Sequence, residues 1–248
     1  MIRRLIFSLT LALASLPALA GEVRVAVAAN FSAPMQAIAQ AFERASGHRA
    51  VVAIGSTGRF YAQVRNGAPF EVLLAADDET PLRLEREGLA VAGTRFTYAS
   101  GRLVLWSAND GVVDARGEVL RGPPSGRLSI ADPRVAPYGA AAMATLTRLG
   151  VLAAWQPQLV QGESIGQAFQ FVASGNARLG FVALSQVMVD GRIARGSAWV
   201  VPESFHPPLR QDAVILLRGQ ANPAAAALLA FMRSESARAT LRRYGYAS

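Results

Sequence analysis

Short apolar runs and amphipathic runs take turns along this chain, and that alternation restricts the fold more than any other feature of the sequence. Val25 and Val27 with the small Ala28 suit a buried strand over 22–28. Met35, Ile38, Ala39 and Phe42 then repeat at the spacing of a helix with one apolar face, predicting a helix over 32–46. The pattern continues as a strand over 49–54, a helix over 57–65, a strand over 70–76 and a short helix over 77–87. Strands that alternate with helices in this way build a mainly parallel sheet covered on both faces. The rhythm restarts with strands at 103–107 and 128–131, helices at 138–149 and 165–174, and strands at 179–184 and 199–201. After Pro207-Pro208 come a strand at 212–217 and helices at 223–232 and 236–244. Breaks near residues 98 and 207 divide the chain into two α/β units. One is 21–98 plus 207–248, the other 99–206, with a cleft expected between them.

The first residues read as an export signal rather than structure. Arg3 and Arg4 precede an apolar run from Leu5 to Leu16, and Ala18-Leu19-Ala20 has the small-x-small pattern of a cleavage site. Cleavage after Ala20 is expected, with the mature protein in the periplasm. The sequence has no cysteine, which excludes disulfides, thiolate metal sites and cysteine nucleophiles. Its formal charge is +8, two units of which lie in the signal segment. Every basic residue is an arginine and they are scattered singly, which argues against a nucleic-acid partner. The overall positive field favours the approach of anions.

In open α/β sheets ligands bind beyond the carboxyl ends of the strands, so the turns found there are the candidate site. Four stand out: Ala29-Asn30-Phe31-Ser32, Gly55-Ser56-Thr57-Gly58, the stretch from Asp132 to Gly139, and Gly162-Glu163-Ser164-Ile165-Gly166. Most lead into a helix N-terminus, whose free N–H groups can hold an anion. Each has an ordinary reading as well. Ser56 or Thr57 can cap a helix, and Asp77-Asp78-Glu79 suits a helix start. His48 and His206 are the only histidines and neither lies near Ser56 or Thr57, the candidate hydroxyl nucleophiles, in sequence, so an enzyme is the less favoured class. Trp106, Trp155 and Trp199 lie away from the four turns and read as core aromatics rather than a stacking platform.

The segments AANF, GSTGRFYAQVRNGAPFEVLLAADDE, DPRVAPYG and ARLGFVALSQ, in this order, resemble the periplasmic molybdate-binding proteins. These are the ModA-type substrate-binding components of ATP-driven importers, and the likeness extends to the C-terminal LRRYGY. The resemblance implies an α/β, two-lobed periplasmic-binding-protein fold of type II-like topology with an oxyanion in the interlobe cleft. It implies no cofactor and no cationic metal, only molybdate or tungstate as ligand. The implied partner is the transmembrane permease of the importer, and the expected state is a monomer. Ligand positions carried over fall on Asn30, Thr57, Tyr138 and the Ile165 amide, with a further backbone amide near Ala29. A family tyrosine near the end of the late strand is missing, since Ala183 stands there. Tyr138 is expected to supply a phenol from the opposite side.

Molybdate near neutral pH is a tetrahedral dianion whose oxygens only accept hydrogen bonds. A fitting pocket therefore offers inward-pointing donors: the Asn30 amide, the Thr57 and Tyr138 hydroxyls, and helix N–H groups. Another oxyanion such as sulfate is the nearest alternative ligand. An organic acid is a further one, because Arg59 and Arg134 lie near the turns and could fork a carboxylate.

Overall fold

The computed structural model describes residues 20–246, so the expected signal segment lies outside the described residues except for Ala20. The chain enters at β1 (Glu22–Ala28) and passes through a single 3₁₀ turn, Ala29–Phe31, into α1 (Ser32–Ser46). It continues through β2 (Arg49–Gly55), α2 (Thr57–Arg65), β3 (Val72–Leu74), α3 (Glu79–Arg86) and β4 (Phe96–Gly101). A second series follows: β5 (Leu103–Ser107), β6 (Leu128–Ala131), α4 (Pro137–Arg148), α5 (Leu152–Trp155), β7 (Leu159–Gly162), α6 (Ile165–Ala173), β8 (Leu179–Ala183) and α7 (Leu184–Val187). The small hairpin β9 (Met188–Val189) and β10 (Arg192–Ile193) leads to β11 (Ser197–Val200). The chain ends with β12 (Leu209–Ile215), α8 (Pro223–Met232) and α9 (Glu235–Arg243).

Two five-stranded sheets result, in the orders β2-β1-β3-β12-β4 and β11-β5-β8-β6-β7. In each sheet one strand runs against the other four, β12 in the first and β5 in the second. These are the strands by which the chain enters the second lobe and returns from it. The outward crossing is made by Arg102 alone, between β4 and β5. The return runs through Pro207-Pro208 into β12, which pairs with β4 and β3. The terminal helices α8 and α9 then pack onto the first sheet, with Leu228 and Leu241 in one cluster with the valines of β1.

Alternation along each strand explains the two-sided cores. Val23, Val25 and Val27 of β1 pack with Met35, Ile38 and Phe42 of α1 and with Leu228 and Leu241 of the terminal helices. Ala26, between them, faces the opposite cluster with Phe60, Val64 and Leu84 from α2 and α3. The second lobe repeats the device: Leu103 and Leu105 face the α4 side with Trp155, while Val104 and Trp106 face Val172 of α6. The three tryptophans are buried, and the indole N–H of Trp155 donates to Leu120 O at 2.8 Å.

Candidate functional site

The carboxyl ends of β1, β2 and β6 and the start of α6 converge between the lobes around a small cavity. Ala29, Asn30, Thr57, Tyr138 and Ile165, singled out from the sequence, all line it, together with Ser56. Each is at most 5% exposed, so the cavity is shut off from solvent by the two lobes together. No carboxylate or guanidinium lines it.

Small residues make this closeness possible. Ala28, Ala29 and Ala76 of the first lobe belong to the same apolar cluster as Ala131 and Ala136 of the second. Gly58 N donates to Val135 O at 2.9 Å across the cleft, and a Cβ on Gly58 would lie 2.9 Å from Val135 Cα. Ion pairs span the rim: Arg59 Nη1 with Glu163 at 2.6 Å, and Arg243 Nε with Asp190 at 2.8 Å. Asp190 is held out by the β9–β10 turn, where Asp190 and Gly191 have φ of 48° and 79°, as a tight hairpin requires.

Hydroxyl groups dominate the side-chain chemistry of the cavity. Thr57 Oγ1 accepts from Ala76 N at 2.9 Å, which leaves its O–H free to donate. Ser56 occupies the N-cap position of α2 yet makes no capping hydrogen bond, and its buried Oγ has no partner. Buried polar atoms are almost always satisfied within a folded protein. Among the described residues three such side-chain atoms lack a partner, and two of them, Ser56 Oγ and Asn30 Oδ1, belong to this cavity. Burial pushes the Tyr138 phenol well above its ordinary range, so it keeps its hydrogen at any physiological pH. The first-turn amides of α2 and α6, at Thr57 and Ile165, belong to the donors that an α-helix leaves without intrahelical partners.

Asn30 is more engaged than the sequence suggests. Its Nδ2 donates to Gln211 Oε1 and to Tyr246 Oη, both at 2.9 Å, which uses both amide hydrogens. Its main-chain carbonyl accepts from Ser185 Oγ at 2.6 Å and from Tyr246 Oη at 3.0 Å. The side chain thus anchors the turn rather than presenting donors to the cavity. Phe31 is fully buried in the first-lobe core, edge-on to Tyr98 and Tyr246, and is not a wall of the cavity. Ala183 lies at the end of β8, and its N–H donates to Gln186 Oε1. The phenol at the cavity is that of Tyr138, from α4.

Other candidates have structural partners. Asp77 Oδ1 accepts from Thr80 N, in the first turn of α3, at 2.8 Å, and burial raises its carboxyl to a pKa of about 6. Asp132 accepts from Arg134 N and Nη2, and this contact holds its pKa below the usual carboxylate range. Arg59 and Arg134 are therefore committed to Glu163 and Asp132. His48 Nδ1 accepts from Gly21 N at 3.0 Å, and His206 is buried with Nδ1 2.8 Å from Pro207 O. Sequence reasoning carried only Thr57 of the Ser56-Thr57 pair to the site, and it missed the buried group of Gln211, Tyr98, Ser185 and Tyr246 behind Asn30. A polar Gln211-Asp212 pair just before the apolar run Ala213–Leu216 was the available signal for part of it.

Two lobes, two short crossings and a donor-lined cavity between them define the class of two-lobed solute-binding proteins. The chain belongs to the bacterial extracellular solute-binding protein family, which it matches over residues 23–247. It is 55% identical to the molybdate-binding protein ModA of Azotobacter vinelandii over 98% of this chain and 96% of that one. The molybdate-binding protein ModA of Rhodobacter capsulatus is 48% identical, with 94% and 90% covered. The solved structure of the Azotobacter vinelandii periplasmic molybdate-binding protein superposes with a TM-score of 0.88 at 40% identity, covering 91% of this chain and 99% of that one.

Proposed function

We propose that this protein captures molybdate, and tungstate with it, in the interlobe cavity and delivers the anion to the permease of an ABC importer. The observation that carries the reading is a solvent-excluded cavity with three hydroxyl groups, two helix starts and no ionised side chain. Its ligands are the hydroxyls of Ser56, Thr57 and Tyr138 and the main-chain amides at Ala29, Asn30, Thr57 and Ile165. Hydrogen bonds to a charged oxygen are about twice as strong as neutral ones, and together they replace the anion's hydration shell. Each helix start adds roughly half a positive elementary charge, so no cation is needed. Neutral donors also let the anion leave when the lobes part.

Relatives at 55% and 48% identity that carry the name of molybdate-binding proteins support the choice of anion. Paired Arg59 and Arg134 count against an organic carboxylate, which needs a free guanidinium fork. Monoprotonated phosphate would bury an O–H among donors. The protein works as an exported periplasmic monomer cleaved after Ala20, with no nucleic-acid partner, no catalytic role and no resident cofactor. Its lobes hinge at Arg102 and at Pro207-Pro208. Titration calorimetry on the mature protein tests the assignment. Molybdate and tungstate are expected to bind tightly and sulfate and phosphate far more weakly; equal affinity for sulfate would overturn it.

A further inference from the structure

Gln211 does not itself line the cavity, yet it hydrogen-bonds one lining side chain from each lobe. It is fully buried on the return strand β12, at an irregularity in the β12–β4 pairing between Gln211 and Asp212. Its Oε1 accepts from Asn30 Nδ2 at 2.9 Å in the first lobe and lies 3.0 Å from Tyr98 Oη. Its Nε2 donates to Tyr138 Oη at 3.1 Å in the second lobe. Space for this contact exists because residue 101 is glycine. A Cβ there would lie 2.1 Å from Tyr138 Oη and 2.4 Å from Gln211 Nε2.

A phenol has one hydrogen to give and lone pairs that accept. Because Gln211 Nε2 occupies the accepting side of Tyr138 Oη, the Tyr138 hydrogen cannot be spent on Gln211 and remains for another acceptor. The orientation of the Gln211 amide is set by Asn30 Nδ2, which requires an oxygen at the other branch; Tyr98 Oη has a further acceptor in Ala75 O at 2.9 Å. Asn30 is fixed in turn by Tyr246. The chain Tyr246–Asn30–Gln211–Tyr138 therefore sets which way each hydrogen bond runs.

We propose that Gln211 is a positioning residue for the anion site, turning the Tyr138 phenol into an obligatory donor toward the cavity when the lobes are closed. The inference rests on the reading of the cavity as an oxyanion site. A double-mutant cycle tests it, with molybdate affinity measured by calorimetry for wild type, Tyr138→Phe, Gln211→Met and the pair. Tyr138→Phe is expected to cost roughly tenfold in the wild type. In the Gln211→Met background the same change should cost less than about twofold, because the phenol is no longer oriented. Gln211→Glu is the second arm: it keeps the oxygen that Asn30 needs and offers Tyr138 an acceptor. There too Tyr138→Phe is expected to have almost no effect, since the hydrogen has been drawn away from the anion. Additive losses in either background would overturn the inference while leaving the oxyanion reading intact. A wild-type protein that ignores molybdate would strike the reading itself, and the inference would fall with it.

Discussion

Ser56 separates binding from stability more cleanly than its neighbours. Its hydroxyl is buried without a partner, so Ser56→Ala removes no bond within the protein. The expected outcome is an unchanged melting temperature without ligand and an anion affinity lowered by about 1–3 kcal/mol, read by calorimetry. Thr57→Ala should lose a similar amount of affinity and also some stability, because Ala76 N loses its acceptor. Asn30→Asp is expected to abolish binding, since a carboxylate beside the cavity repels a dianion and offers Gln211 and Tyr246 no donor. Asp77 carries the pH dependence at this scale. Its folded pKa of about 6 lies above the ordinary value of 3.8, with burial as the main cause. Between those values the native state holds the proton more tightly than the unfolded chain, so stability falls as pH rises through the window. The loss is at most on the order of 3 kcal/mol. Asp77→Asn keeps an acceptor for Thr80 N and should flatten that part of the stability–pH curve measured by denaturant titration. An unchanged slope would remove Asp77 from the account.

At the level of the elements, burial on both faces decided what the sequence could show. β1, β5 and β6 are buried nearly throughout and stand out as apolar runs. β4 and β7 escaped the sequence reading because polar residues break their apolar runs, whereas the edge strand β2 carries Val51 and Ile54 even at exposed positions. Their exposed positions carry Thr97 and Gln161, so FTYASG and LVQG look like loops. The site divides along the same line. Its turns were legible because strand ends and helix starts are local features. The network behind it was not, since the Asn30–Gln211 and Asn30–Tyr246 bonds join residues 181 and 216 positions apart. Helix α2 supplies the prediction that belongs here. Gly58→Ala should leave the lobes folded, and even favour the helix by up to about 1 kcal/mol. Its Cβ would press on Val135 backbone atoms at 2.9 and 3.0 Å, which no rotamer change can relieve. The expected result is an unchanged or higher melting temperature without anion, and an affinity reduced roughly tenfold or more. Wild-type affinity in this variant would mean that closure does not require Gly58 and Val135 to touch.

Across the whole molecule, the cavity can exchange an anion only if the lobes separate, because every residue proposed to hold it is within 5% of full burial. Closure is held by two unlike kinds of contact. Inside are neutral bonds shielded from salt: Gly58 N to Val135 O, Ser185 Oγ to Asn30 O, and Gln211 Nε2 to Tyr138 Oη. At the rim are the Arg59–Glu163 and Arg243–Asp190 pairs, with side chains between 49% and 66% exposed. Exposed pairs contribute little and are screened within about 10 Å at 0.1 M salt. The inner bonds should therefore set affinity, and the rim pairs should act as a weak latch on opening. Replacing Arg59 and Arg243 together by alanine is expected to speed anion release a few-fold at low ionic strength, measured by stopped-flow fluorescence of the tryptophans. The difference from the wild type should vanish near 1 M salt, where screening reaches about 3 Å. A release rate that stays raised at high salt would show that these arginines hold the lobes by packing rather than by charge.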